Sequence, residues 1–344
     1  MKKRKFEISY VNIALCLGVI AIHVLSEPIN MLERSLPAFI CTFIPWRMLS
    51  CAVPGFIFLS GLKLSLKPVK DWGKFYWRRF TSVIVAYLIW MPVYYAFSWK
   101  LGYYESIGIK HFFTVLFDGT STAHFYFIVV IVQFYLLHPL WQALTKLPAI
   151  PVIAIAAVIT GYSQVWLPII FDNNGIVPLL TNDRLFTNYL LYYIIGCYIG
   201  RNYDKFTEIL HRFRLAAYAP FIWLAVVDLF FSYRVMAYHE INLWLYYVNM
   251  AYCVFAILSA LALCTAIAKK HSPSGFIICL DKASYYIYLT HLLVLMIAKY
   301  ILDTAGLTGV LDRLPIIGVS TYIIPIVVCM GYVQLKTKSK GISR

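Results

Sequence analysis

The sequence predicts an all-α protein, a polytopic transmembrane helical bundle of about ten spans with both termini cytoplasmic. Of the 344 residues, 61% are hydrophobic and only 13% are charged, which leaves too few polar side chains to cover the surface of a soluble domain. Apolar runs of about 20 residues, the length of a membrane-crossing helix, recur along the whole chain. Function should therefore be sought in the polar residues that lie within these runs.

The apolar runs set the order of the spans. The second run is long, and we expect Pro45 or Pro54 to break it. The first run lacks a small-residue cleavage site and is followed by many similar runs, which favours a retained first helix over a signal peptide. The predicted spans cover about 8–27, 37–65, 78–98, 123–144, 148–164, 184–200, 213–232, 243–268, 276–300 and 314–335.

The charge distribution predicts the topology. A net charge of +15 in a soluble protein would indicate a nucleic-acid partner. Here most of the 30 lysines and arginines fall on the side of the N-terminus, as the positive-inside rule describes for cytoplasmic loops. We therefore expect a single membrane-embedded domain over residues 1–344, a basic cytoplasmic tail from about residue 336, and no nucleic-acid partner.

Among the polar residues of the apolar runs, three histidines and one asparagine are candidate site residues. Asn12 and His23 are eleven residues apart, so they share one helix face about 16 Å apart along the axis. His124 opens the fourth span and His291 lies inside the ninth. In the predicted topology all three histidines fall in the middle-to-outer half of the bilayer, where the helices could bring them together. The alternative is that each only forms hydrogen bonds that hold helices together.

Two adjacent arginines, Arg78 and Arg79, open the third span at the predicted cytoplasmic edge. Guanidinium groups bind phosphate oxygens in pairs, so the two side chains could form an anion clamp. Anchoring of the helix at the membrane interface explains them equally well. The eight cysteines stand singly and show no metal-ligand spacing, so we expect small packing residues rather than a metal site.

Six stretches, in order along the chain, resemble the acyltransferase 3 family of integral membrane acyltransferases. The first is the run that carries Asn12 and His23. The others read VPGFIFLSG (53–61), RRFTSVIVAY (78–87), HFYFIVVIVQFYLLHPL (124–140), YYIIGCYIG (192–200) and SYYIYLTH (284–291). The likeness is strongest to the branch that acts on cell-surface polysaccharides. Asn12 stands where the family has arginine, Ser82 where a second arginine is frequent, and Ala86 where proline is usual.

The resemblance implies a membrane-bound O-acyltransferase of the bacterial cytoplasmic (inner) membrane. It would move an acetyl or succinyl group from acyl-CoA, the donor substrate, to a hydroxyl of a cell-surface glycan or lipid-linked sugar. Polysaccharide synthase components are candidate partners, and no metal is implied.

The predicted topology suggests how individual residues could carry out this reaction. Arg79, with Arg78, would hold the CoA phosphates, and the acyl group would pass Asn12 to reach His23. His23 would be the general base or a transient acyl carrier, with His291 and His124 as further catalytic candidates. Supporting roles are expected for the residues Asn12, Ser82 and Asp228, the last as a carboxylate that orients a histidine.

Two other functions fit a chain with sparse polar residues in about ten spans. One is a flippase or exporter of a lipid-linked glycan or polysaccharide, although no inverted repeat or matched pair of broken helices is visible to favour it. The other is a membrane scaffold for a polysaccharide synthase. Acyl transfer by the purified protein would separate the enzyme from both.

Overall fold

The computed structural model describes residues 5–105, 107–172 and 183–342, and all regular structure within these ranges is helical. The predicted all-α fold class is therefore confirmed. The α-helices are α1 (Phe6–Met31), α2 (Pro37–Met48), α3 (Ala52–Ser65), α4 (Trp72–Arg79), α5 (Val85–Lys100), α6 (Ile109–Asp118), α7 (Tyr126–Leu136), α8 (His138–Leu144), α9 (Ala149–Asp172), α10 (Leu190–Arg201), α11 (Tyr203–Arg212), α12 (Leu215–Tyr238), α13 (Trp244–Lys270), α14 (Gly275–Thr304) and α15 (Val310–Ile342). Shorter segments are the 3₁₀ turns Leu49–Cys51 and Phe186–Tyr189 and the π-helical turn Phe80–Ile84.

Most of the predicted spans are helices long enough to cross a bilayer. Within the described ranges, eight helical segments meet the length and hydropathy expected of a span, or nine if the bent pair α7–α8 is one span. The predicted span at 184–200 is a 3₁₀ turn followed by α10, a helix of 12 residues. The total of ten spans and the cytoplasmic termini therefore stay predictions.

Proline explains both breaks in the long apolar runs. The second run is interrupted at Leu49–Cys51, one turn before Pro54, because Pro54 has no N–H to donate to the carbonyl of Ser50. The fourth run bends by 60° between α7 and α8. Pro139 follows this bend, and a proline disfavours helical geometry at the residue before it and removes one helical hydrogen bond.

The chain forms two compact units, each with its own packing. The first unit consists of Met1–Phe56 and Lys205–Arg344, and the second of Ile57–Asp204. In the first unit α1 packs against α14, α15, α13 and α2. A helix surrounded in this way is protected from lipid, which suits it to carry polar side chains.

In the second unit, α10 lies against α3 at glycines. A Cβ atom added at Gly196 would lie 2.2 Å from the carbonyl oxygen of Phe58, and one at Gly200 would lie 2.3 Å from that of Leu62. These two glycines are four residues apart, the spacing that lets two helix backbones approach closely in a membrane. The YYIIGCYIG stretch is therefore a packing motif in this structure.

Candidate active site

A line of polar side chains runs along the contact between α1 and α14. The two helices are parallel, and each residue of α1 meets a residue about 270 positions later. We call this line the polar seam. It contains Ser9, Asn12, His23 and Glu27 of α1 with Asp281, Ser284, His291 and Lys299 of α14.

At the first end of the seam, amide and hydroxyl groups surround one carboxylate. Asn12 donates through Nδ2 to Asp281 Oδ1 at 2.9 Å and to Ser284 Oγ at 2.7 Å. Ser9 donates through Oγ to Asp281 Oδ2 at 2.7 Å. Hydrogen bonds to both carboxylate oxygens fix the orientation of this carboxylate.

The next polar contact along the seam is between two histidines. The rings of His23 and His291 lie with their centroids 5.3 Å apart, tilted by 39°. His291 is completely buried, and its Nδ1 lies 2.7 Å from the carbonyl oxygen of Tyr288. Since a carbonyl oxygen only accepts, Nδ1 carries the hydrogen, and Nε2 of the neutral ring keeps its lone pair.

The second end of the seam is an ionic cluster of four side chains. Lys299 Nζ lies 2.8 Å from one carboxylate oxygen of Glu27. Arg313, in the first turn of α15, lies 3.6 Å from the other oxygen of Glu27 and 2.9 Å from Asp303. Glu27 follows His23 by four residues, so it lies on the same face of α1, about 6 Å farther along the axis.

A separate buried ion pair in the same unit involves Asp228. Both of its carboxylate oxygens accept hydrogen bonds from Arg47, at 2.7 and 2.8 Å, and Asn249 donates to one of them at 3.1 Å. Asn249 also donates to Ser50 in the 3₁₀ turn of the second run. This network ties α12 and α13 to the break in that run.

The second unit contains a basic pocket of about 230 Å³. Its lining includes Lys70, Asp71, Lys74, Phe75, Arg78 and Arg79. Asp71 caps α4, since its Oδ1 accepts from the backbone N–H of Lys74 at 2.9 Å. Four cations facing one carboxylate make the pocket attractive to anions, and arginine forks suit phosphate oxygens.

The guanidinium of Arg79 lies against two aromatic rings. Its central carbon lies 5.7 Å from the ring centre of Phe75 and 5.6 Å from that of Tyr135. Its Nε is buried and has no hydrogen-bond partner among the residues that the structure describes. The guanidinium is thus held in one orientation, and its Nε–H is available to donate a hydrogen bond to a ligand.

The bent α7–α8 segment positions the pocket. The side-chain amide of Gln142 accepts from the backbone N–H of Val69 at 2.7 Å and donates to its carbonyl at 3.3 Å. The ring of His138 stacks on Phe75 at 5.1 Å, and its Nδ1 lies 3.0 Å from the hydroxyl of Tyr193. A buried histidine, rather than a purely apolar side chain, therefore supports the wall of the pocket.

Comparison with known proteins agrees with the resemblance seen in the motifs. Residues 7–330 match the family described as an acyltransferase domain. The chain belongs to this acyltransferase family.

Two similar proteins come from staphylococci and share one name. A probable poly-beta-1,6-N-acetyl-D-glucosamine export protein of Staphylococcus aureus is 25% identical over 317 residues, which cover 86% of this chain and 83% of that protein. A protein of the same name from Staphylococcus epidermidis is 23% identical over 264 residues, or 71% of this chain and 73% of that protein. No solved structure matches the chain.

Within this acyltransferase, the structure brings some of the predicted site residues together. His23 and His291 form a pair, and Asn12 lies in the same seam. His124 belongs to the second unit, where it is buried, with its Nδ1 2.9 Å from the hydroxyl of Thr122 and its ring 5.4 Å from that of Tyr94. Its catalytic role stays a prediction.

The remaining predicted residues divide between the two units. Arg78 and Arg79 line the basic pocket, but they follow most of α4 rather than opening the helix. Ser82 is exposed in the π-helical turn and donates to the carbonyl of Arg79 at 3.4 Å, apart from the pocket lining. The described side-chain contacts of Asp228 are with Arg47 and Asn249, so the orienting role expected for it stays a prediction.

Sequence reasoning missed Asp281, Glu27, Lys70, Lys74 and His138. The rule that points to Asn12 and His23, that polar residues within apolar runs mark functional sites, also applies to Asp281 and Glu27. Lys74 precedes Arg78 by four residues, a helical spacing that places both basic side chains on one side of α4, and Lys70 lies just before the start of this helix. His138 lies inside a quoted motif, six residues before the end of the predicted span.

Proposed function

We propose that this protein is a membrane O-acyltransferase that moves an acetyl or succinyl group from acyl-CoA to a hydroxyl of a cell-surface polysaccharide. Membership of the acyltransferase family supports the reaction class. The names of the staphylococcal relatives support poly-beta-1,6-N-acetyl-D-glucosamine, or a similar glycan, as the acceptor. The observation that carries the proposal is the histidine pair, since an intramembrane histidine beside a second one suits proton transfer.

In this proposal His23 is the general base. It takes the proton of the sugar hydroxyl as the hydroxyl oxygen attacks the thioester carbonyl. The carbon–sulfur bond then breaks, and the proton passes to the leaving sulfur, so CoA is released as the thiol. His291, whose tautomer is set by the Tyr288 carbonyl, positions the ring of His23. An alternative course, in which His23 carries the acyl group transiently, uses the same residues.

The basic pocket is the proposed donor site. Its cations would bind the phosphates of acyl-CoA, and Arg79 offers a fixed fork with an unused Nε–H donor. In this proposal the basic pocket binds the donor, and the polar seam transfers the proton.

The test is acyl transfer by purified protein in liposomes. We expect labelled acetyl-CoA or succinyl-CoA to yield free CoA and a labelled β-1,6-linked N-acetylglucosamine oligomer. His23→Ala should abolish the transfer while the protein still inserts and melts normally, and His291→Ala should lower kcat with little change in either KM. Full activity of His23→Ala would show that His23 is not catalytic and only holds helices together.

Export of the glycan is the second candidate, and the names of the relatives favour it. An exporter would move the labelled oligomer across a vesicle membrane without acyl-CoA and without acylating it. Translocation that is unaffected by His23→Ala, together with no release of CoA, would replace the enzyme proposal by this one.

A further inference from the structure

The ionic cluster at the second end of the seam has no part in the proton transfer described above. Glu27, Lys299, Asp303 and Arg313 come from α1, α14 and α15. The cluster is graded in exposure, because the side chain of Arg313 is 8% exposed, that of Glu27 14%, and that of Asp303 59%. It therefore leads from the surface at the end of these three helices toward the seam.

The charges of the cluster balance. Two carboxylates face two cations, so the cluster as a whole favours a neutral ligand over a phosphate or an ammonium group. It presents hydrogen-bond acceptors and donors side by side. A sugar hydroxyl both donates and accepts, so neighbouring hydroxyls of one ring match such a surface.

One donor of the cluster is unused. The residue Arg313 is only 7% exposed. Its Nε is buried and has no hydrogen-bond partner in the part of the chain that the structure describes. Buried donors are nearly always paired, so an unpaired one calls for a specific explanation. A hydroxyl oxygen of a bound ligand is an acceptor of the right kind.

The cluster is also in the right place for an acceptor. Glu27 lies one helical turn beyond His23 on the same face of α1, a distance comparable to the width of one pyranose ring. A sugar held by Glu27 and Arg313 would present a neighbouring hydroxyl to His23. The basic pocket of the second unit, with its excess of cations, has no such balance.

We propose that Glu27, Lys299 and Arg313 form the acceptor subsite, which binds hydroxyl groups of the sugar next to the one that is acylated. This inference rests on the proposed function for its substrate class. The competing explanation is that the cluster only joins α1, α14 and α15.

The test uses Arg313→Gln and the isosteric Glu27→Gln in the full-length protein. The acceptor probe is a fluorescently labelled β-1,6-linked N-acetylglucosamine oligomer, and the donor is acetyl-CoA or succinyl-CoA. We expect each variant to weaken binding of the oligomer, and to raise its KM, at least tenfold, while the donor KM changes less than twofold. Arg234→Gln is the matched control, since Arg234 and Glu240 form an exposed ion pair in the same unit, and it should leave both KM values unchanged.

The outcomes separate the two proposals. If the wild-type protein binds the oligomer but does not acylate it, the proposed function fails, while weaker binding by the variants still supports the subsite. If Arg313→Gln does not fold, Glu27→Gln decides the matter alone. Unchanged oligomer binding in a folded variant, or a change confined to the donor KM, would overturn the subsite and leave the cluster as a helix junction.

Discussion

Replacement of Arg79 by alanine tests whether the basic pocket serves the donor. Arg79 is one of four cations that line a pocket of about 230 Å³, and its guanidinium lies against the rings of Phe75 and Tyr135. In Arg79→Ala a bound phosphate would lose a charge-assisted hydrogen bond, which is typically worth about 1.5–3 kcal/mol. At about 1.4 kcal/mol per factor of ten, the KM for acyl-CoA should rise roughly 10- to 100-fold.

The same change should affect stability much less. The stacking of Arg79 on two rings at a half-exposed site contributes on the order of 0.5–1 kcal/mol, so the variant should fold and insert. Arg79→Lys should fall between the wild type and Arg79→Ala, since lysine keeps the charge but loses the planar fork.

The assay measures initial rates of CoA release over a range of acyl-CoA concentrations at saturating glycan, and then the converse. Arg201→Ala is the matched control, because Arg201 is a cation of the same unit that donates to the carbonyl of Thr145 at 2.7 Å and lies apart from the pocket lining. An unchanged donor KM in Arg79→Ala, or an equal rise in Arg201→Ala, would refute the donor role and leave Arg79 as an anchor of α4.

Two further predictions concern packing and topology. Gly196→Ala should lower the melting temperature in detergent, because the overpacking cost of about 1–3 kcal/mol at a carbonyl 2.2 Å away outweighs the helix-propensity gain of about 1 kcal/mol. The control is Gly331→Ala, where a Cβ atom meets nothing within 4 Å, and this variant should not lower the melting temperature. Equal melting temperatures of the two variants would contradict the close approach of α10 to α3. The topology is tested by Tyr103→Cys, at a position that is 67% exposed, in a protein whose native cysteines are replaced. A membrane-impermeant thiol reagent added outside intact cells should react with this cysteine. Reaction only after the membrane is opened would reverse the predicted topology.

The sequence by itself predicted a membrane protein, most of its helices and several of the candidate site residues. Hydropathy is a local property, because each side chain contributes its own transfer free energy, so the runs that became α1, α9, α12, α13 and α14 could be read directly. The same rule identified His23 and His291, since polar groups are costly in a bilayer and are kept there for a reason. The adjacent Arg78 and Arg79 likewise predicted an anion clamp. The structure places both side chains in the lining of the basic pocket, and the anion that they would bind stays a prediction.

Only the tertiary structure decided which of these residues meet. The parallel contact of α1 with α14 joins segments about 270 residues apart, and it reveals that Asp281 faces Asn12 and that Lys299 faces Glu27. The contact of α1 with α15 adds Arg313 beside Glu27. In the same way, Asp228 was expected to orient a histidine, and the structure places it against Arg47. The physical reason is that lipid is as apolar as the helices, so their association depends on close packing and interhelical hydrogen bonds. Those contacts arise from three-dimensional fit and leave no periodic signal in the sequence of either helix.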